Sequence, residues 1–175
     1  MSNTRVKGTT VNSLGYTGIV TLSQYIRGKK RIVAKIHNRG NKPLFDFFAD
    51  CLVGNFDTAK LYRPNKIMLL YKDDENVLHK AEDTDFIYLL SNPEKVYNDT
   101  EGVVRYSFII PQDRFAGKNF NAIGLYTKAA DGIDVNNYAA YCDIKQDTIR
   151  DVSLSSVLVL DWELHISNIP DISNR

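Results

Sequence analysis

Apolar and polar residues alternate along most of this chain. In residues 17–26, Val20, Leu22 and Ile26 share one parity while Thr21 and Ser23 take the other. Residues 31–38 repeat the pattern with Ile32, Ala34 and Ile36. A period of two is that of a strand with one covered face. The two runs are joined by Arg27-Gly28-Lys29-Lys30, in which Gly28 is free to take a positive φ, so they read as a β-hairpin. The period changes after Asn41. Leu44, Phe48, Cys51 and Leu52 recur at three and four residues, with Asp46, Asp50 and Asn55 between and beyond them. That spacing predicts an amphipathic helix over residues 43–53, capped by Asn41, opened by Pro43 and stopped by Gly54.

Strand-like segments then follow one another. Residues 66–71 are almost continuously apolar, as in a strand covered on both faces. Shorter strands are expected over 86–90, 103–110, 120–127 and 137–144, with Gly124 marking a bulge or a close backbone approach. Residues 72–85 and 91–102 read as charged or turn-rich loops. The cleanest alternation comes last, over 156–167. It places Leu158, Leu160, Trp162, Leu164 and Ile166 on one face, expected to be buried with Phe48 and Leu52 of the helix. The predicted fold class is mainly β: an antiparallel β-sandwich of about eight strands with one packed α-helix. Residues 1–15 are expected to form an extended N-terminal arm, 16–168 a single domain and 169–175 a C-terminal tail. The arm carries only Val6, Val11 and Leu14 as sizeable aliphatics after the first Met. These are too few to offset an ordering cost of roughly 1–2 kcal/mol per residue without a partner's surface.

With 175 residues the chain buries enough surface to fold without a metal or disulfide staple. Lys and Arg total 22 against 21 Asp and Glu, so no global basic field favours nucleic acid. The segment 1–12 is polar, so no secretion signal is expected, and no apolar run is long enough for a membrane span. Cys51 and Cys142 are expected as buried thiols rather than a disulfide pair.

Candidate chemistry is sparse. Asp161, Glu163 and His165 share the polar face of the last strand, where they could hold a metal or share a proton. No further ligand group completes such a site, and a solvated or subunit-facing surface is expected instead. His37 and His79 stand alone. Asp73, Asp74 and Glu75 lack the spacing of a calcium loop and read as a solvated turn. No phosphate loop, nucleophile elbow or paired-cysteine motif occurs. The ten tyrosines suit interfaces, sugar stacking or simple strand propensity, and the sequence does not separate the three. No catalytic residue, cofactor or metal is expected. Arg27, Lys29, Lys30 and Arg31 form a basic tip, where charge is the usual means of keeping a hairpin turn soluble.

The order of pieces is familiar. Residues 18–22 lead to His37-Asn38-x-Gly40, then to Leu44-Phe45-x-Phe47-Phe48 and Leu52-Val53-Gly54-Asn55. Pro64-Asn65-Lys66-Ile67-Met68-Leu69 follows, then Phe120-Asn121-Ala122-Ile123-Gly124-Leu125-Tyr126, and a closing strand from Leu160 to Asn168. Across residues 15–168 this layout resembles small virion structural proteins of tailed bacteriophages, of the collar, baseplate or tail-fibre attachment type. The resemblance implies a multicopy, non-enzymatic subunit of a virion, made in the host bacterial cytoplasm. It would contact copies of itself and other virion proteins, with neither a membrane nor nucleic acid as partner. Interface residues are then expected in the arm (Thr4, Val6, Val11, Leu14) and at the tip (Arg27, Lys29, Lys30). A carbohydrate- or receptor-binding module on a fibre and a head-associated decoration protein are the alternatives.

If the last strand lines the core, Trp162→Ala should cost about 3–5 kcal/mol in a denaturant titration. A loss below ~0.5 kcal/mol, the size of a surface effect, would place Trp162 on the wrong face.

Overall fold

The structure, a computed structural model, describes residues 13–82, 84–89, 93–97, 101–145, 148 and 157–169. Two long strands, β1 (Ser13–Ile26) and β2 (Lys29–Gly40), open the fold. Helices α1 (Lys42–Leu52) and α2 (Phe56–Tyr62) follow. Next come β3 (Pro64–Lys72), β4 (Leu78–Lys80), β5 (Ile87–Tyr88), β6 (Glu94–Tyr97) and β7 (Glu101–Pro111). The chain then forms the short α3 (Gln112–Phe115), β8 (Ala122–Thr127), β9 (Ala140–Asp143) and β10 (Val157–Ile169).

The strands run in the order β4-β3-β8-β9-β2-β1-β10-β7-β6, with β5 added beside β3, and all pairings are antiparallel. The sheet turns over where β2 meets β9 through Arg39–Tyr141 and Gly40–Ala140 alone. Its two halves therefore face each other across one core, which is the predicted antiparallel β-sandwich. Val20, Leu22, Phe108, Ile110, Leu158, Leu160, Trp162 and Leu164 come from one half, and Ile67, Leu69, Ile123, Leu125 and Cys142 from the other. Helix α1 closes one side of this core with Leu44, fully buried, and with Phe47 and Phe48 packed against it. A second, smaller core lies on the far face of β3 and β8, where Met68, Leu70, Ala122 and Tyr126 meet Leu78 and Ala130. This explains the continuous apolar run of β3, whose residues pack on both sides.

Four differences from the expected pattern have physical causes. Leu52, placed in the core by its spacing, is 78% exposed. Helix α1 has more apolar residues than one face can hold, and those nearer the core, Leu44, Phe47 and Phe48, fill the space. Ile32 is also exposed, because a register shift between Leu22 and Ser23 inserts Val33 into β2 as an extra residue. A one-residue slip sends each following side chain to the opposite face, so Val33 packs on the core and Ile32 does not. Strands β4 and β6 arise in segments that read as loops, and α2 and α3 lie in segments without clear periodicity. Lastly, residues 13–15, assigned to the arm, and Ile169, assigned to the tail, belong to the sheet, where 13–15 pair with 167–169 from Ser13↔Ile169 to Gly15↔Ser167. Ladder hydrogen bonds extend a strand past its last apolar side chain.

The β1–β2 turn has Arg27 at φ 50° and Gly28 at φ 77°, a two-residue connection whose twist matches that of the strands. Gly124 meets the other expectation for it, a close approach: a Cβ there would lie 2.6 Å from the Tyr126 ring.

The tightest junction joins β1, β2 and β10. Gly18 lies opposite Asn38 on one side and Leu164 on the other. The Asn38 side chain lies over Gly18, where a Cβ would come within 1.9 Å of it. With the amide oriented to suit its neighbours, its oxygen accepts from the Trp162 indole Nε1 at 2.8 Å and from the Ile19 amide at 3.2 Å. Its nitrogen faces the Tyr16 hydroxyl, whose pKa is driven up by burial. The Tyr16 ring in turn packs edge-on against Phe45 and obliquely against Phe48 of α1. Gly18→Ala should therefore destabilise by about 1–3 kcal/mol through overpacking. Asn38→Ala should cost a similar ~1–3 kcal/mol, because the buried indole N–H loses its partner. Denaturant midpoints measure both, and an unchanged midpoint for either variant would dismiss the junction.

Candidate interaction surfaces

The basic tip is built by the hairpin turn. Arg27, Lys29, Lys30 and Arg31 are all exposed there. Lys30 reaches back along the sheet to Asp161, at 3.7 Å. Ile26 and Ile32 stand exposed beside these cations, so the tip is both charged and apolar. Of the expected arm contacts, Thr4, Val6 and Val11 lie outside the described residues. Leu14 lies in β1 opposite Asn168, and its side chain is outside the description.

Asp161, Glu163 and His165 do share one face of β10, as period two dictates. That face is cross-linked rather than open. Register sets Ser107 opposite Asp161 and Arg105 opposite Glu163. Ser107 Oγ donates to Asp161 Oδ1 at 2.7 Å. Arg105 donates to Glu163 Oε1 through Nε at 2.9 Å, with Nη2 2.8 Å from the same oxygen. Arg105 Nη1 also lies 3.5 Å from Glu94 on β6, and His165 Nε2 lies 3.2 Å from Glu163 Oε2. Burial opposes ionisation of Glu163, but the hydrogen bonds from Arg105 and His165 outweigh it and hold the carboxyl below its usual range. Donating to the Glu163 carboxylate likewise raises the Arg105 pKa. The arrangement ties three strands together with charge-assisted bonds. Among the described residues no group of three or more His, Cys, Asp or Glu is placed to hold a metal ion.

The other singled-out groups are dispersed. His79 Nε2 lies 2.7 Å from Asp73 Oδ2, and Asp73 Oδ1 accepts from the backbone amides of Glu75 and Val77. The His79 hydrogen bond and these amides lower the Asp73 pKa, which makes this acidic segment a self-satisfied turn. His37 is exposed on β2. Cys142 is buried, which pushes its thiol up to about 12, and Cys51 is half-buried and free. Tyr126 is buried and donates to the Val135 carbonyl at 2.7 Å.

One surface escaped the reading of the sequence. The α1–α2 hairpin exposes Phe45, Leu52, Val53, Phe56 and Leu61, at 50%, 78%, 77%, 63% and 51%. Phe45 and Leu52, seven residues apart on α1, were present as a second apolar stripe, whereas Phe56 opens α2 beyond the turn at Gly54 and falls outside that period. The second stripe was masked because the stripe of Leu44 and Phe48 runs beside it. Several large apolar side chains exposed on one hairpin are the kind of feature that marks a contact surface. No helix among the described residues is long and apolar enough to cross a membrane.

In comparisons with known proteins, no family model, curated protein or solved structure matched the chain.

The Arg105–Glu163 bond has a signed pH dependence. The folded-state pKa of Glu163 is lowered, so its stabilisation is complete above the unfolded value and is lost as pH falls through the folded one. Glu163→Gln should cost about 1–3 kcal/mol at neutral pH. The gap from wild type should close on acidification. A gap that stays constant from neutral to acidic pH would mean that the ion pair does not form.

Proposed function

We propose that the chain is a structural subunit of a tailed-bacteriophage particle, assembling in several copies at the collar, baseplate or fibre attachment of the tail. The observation that carries this reading is the set of exposed apolar side chains on the α1–α2 hairpin, with Leu52 and Val53 the most exposed. Single exposed apolar residues are ordinary, but several on one helical hairpin are costly to leave wet and are covered by association. The layout of motifs that resembles virion structural proteins supports the same reading. So does the pairing of Ser13 with Ile169, which sets the outer residues of β1 and β10 side by side, where one partner could meet both. The polar network on β10 contributes stiffness to such a subunit.

Light scattering after size exclusion tests this reading on the isolated chain. Wild type should run as a multimer, and Leu52→Asp with Phe56→Asp should shift it to monomer without lowering its melting temperature. Deleting residues 1–12 should also weaken assembly while leaving the melting temperature nearly unchanged. A wild-type chain that stays monomeric at high concentration, or variants that assemble like it, would contradict self-association through these elements.

A further inference from the structure

A separate feature lies at the end of α2. Lys60 in its last turn, Arg63 just beyond it, Asn65 at the start of β3 and Lys128 just after β8 line a cavity of about 300 Å³. That is the small end of the range for ligand pockets, roughly 300–1,000 Å³. Its walls are fixed by backbone. The Lys128 amide donates to the Arg63 carbonyl and the Ala129 amide to the Leu61 carbonyl, each at 3.0 Å. Beneath this seam the buried Lys66 ammonium donates to the Lys128 carbonyl at 3.1 Å and to the Ala130 carbonyl. It also lies 4.3 Å from the centre of the Phe86 ring. The segment that carries Lys128 is thereby pinned against the segment that carries Arg63.

We propose that this cavity binds a small phosphate-type oxyanion, either free phosphate or the phosphate group of a small monoester. Three cationic side chains converge on one concavity, and no carboxylate is among the described residues that line it. Lys60 has a partner in Asp57 at 2.9 Å, but both side chains are largely in water, where such a pair contributes little. Neither Arg63 nor Lys128 has an ion pair or side-chain hydrogen bond among the described residues. Asp131 acts on the buried Lys66 and does not line the cavity. The Asn65 amide is the second, independent sign. Its Oδ1 is sealed from solvent with no partner, and the side chain makes no other hydrogen bond among the described residues. The amide nitrogen is not sealed in this way and has no hydrogen bond among the described residues, so its two N–H donors are the end of the side chain left open to the cavity that Asn65 lines. A tetrahedral oxyanion offers oxygens in several directions, which suits a guanidinium fork, two ammonium groups and an amide better than a planar carboxylate does. The cations ring one cavity instead of forming a track, which favours a compact anion over a nucleic-acid strand.

Thermal unfolding with inorganic phosphate, against chloride at equal ionic strength, tests the site on the full chain. Wild type should show a saturable rise of roughly 3–6 °C at about ten times the dissociation constant. The rise should vanish in Arg63→Ala/Lys128→Ala, whose changed side chains are exposed, and in Asn65→Asp, which keeps the size of the side chain but adds a negative charge. Competition with a sugar phosphate separates the two sources. Tighter binding of the ester assigns the site to monoesters, and equal or weaker binding assigns it to free phosphate. An absent rise, or an equal rise in both variants, overturns the proposal. Displacement of phosphate by a short oligonucleotide that binds more tightly through the same residues also overturns it, since the site would then read a polyanion.

Discussion

The fold turns on the absence of a side chain at Gly18. A Cβ there would overlap the Asn38 amide, and that amide is the link between β1, β2 and β10. It takes the indole proton of Trp162 and the backbone proton of Ile19, and it faces the hydroxyl of Tyr16. Trp162 is the largest fully buried side chain in the core, and its one polar atom requires a partner there. Asn38 supplies it from the neighbouring hairpin, so the last strand is registered against the first two by a specific bond as well as by apolar packing. Tyr16 passes the constraint to α1 through Phe45 and Phe48. The sandwich and its one long helix are therefore fixed by the same few residues.

With the interior fixed in this way, the outer surfaces divide by chemistry. The exposed face of β10 is polar, but its carboxylates are occupied by Arg105, Ser107, Lys30 and His165, so it braces strands. The α1–α2 hairpin leaves apolar groups in water and suits a partner. The end of α2 gathers positive charge without a matching carboxylate among the described residues and suits an anion. These three surfaces follow from one scaffold, and none of them requires the scaffold to move.

Much of the framework was legible because period two is a strong signal where one face is buried. The alternation of Leu158, Leu160, Trp162 and Leu164 fixed the inner face of β10, and the unbroken run from Ile67 to Tyr71 marked β3 as a strand covered on both sides. What was not legible depended on partners distant in sequence. Ile32 obeys the local alternation, yet a bulge decided by pairing with β1 turned it outward. Leu52 has helical spacing suited to burial, but the room at the core was already taken by Leu44 and its neighbours. Strands β4 and β6 are short edge segments held by ladder bonds, which leave no trace in side-chain pattern. The surfaces divide in the same way. Arg27, Lys29 and Lys30 are consecutive enough to be read as a tip. Lys60, Arg63, Asn65 and Lys128 come together only because β3 and β8 pair.

A virion subunit of the kind proposed must hold its shape while its edges make contacts, and the Asn38 junction is where that rigidity is concentrated. The chain has a single tryptophan, so its indole proton gives one resolvable NMR signal. Hydrogen exchange of that proton is the most direct measurement. If Asn38 locks β10 to the hairpin, the indole proton should exchange only through global unfolding, as slowly as the most protected backbone amides of β1 and β10, and much faster in Asn38→Ala. Exchange of the wild-type indole at the rate of surface groups, or a rate unaltered by the substitution, would contradict the junction as the constraint on which the fold depends.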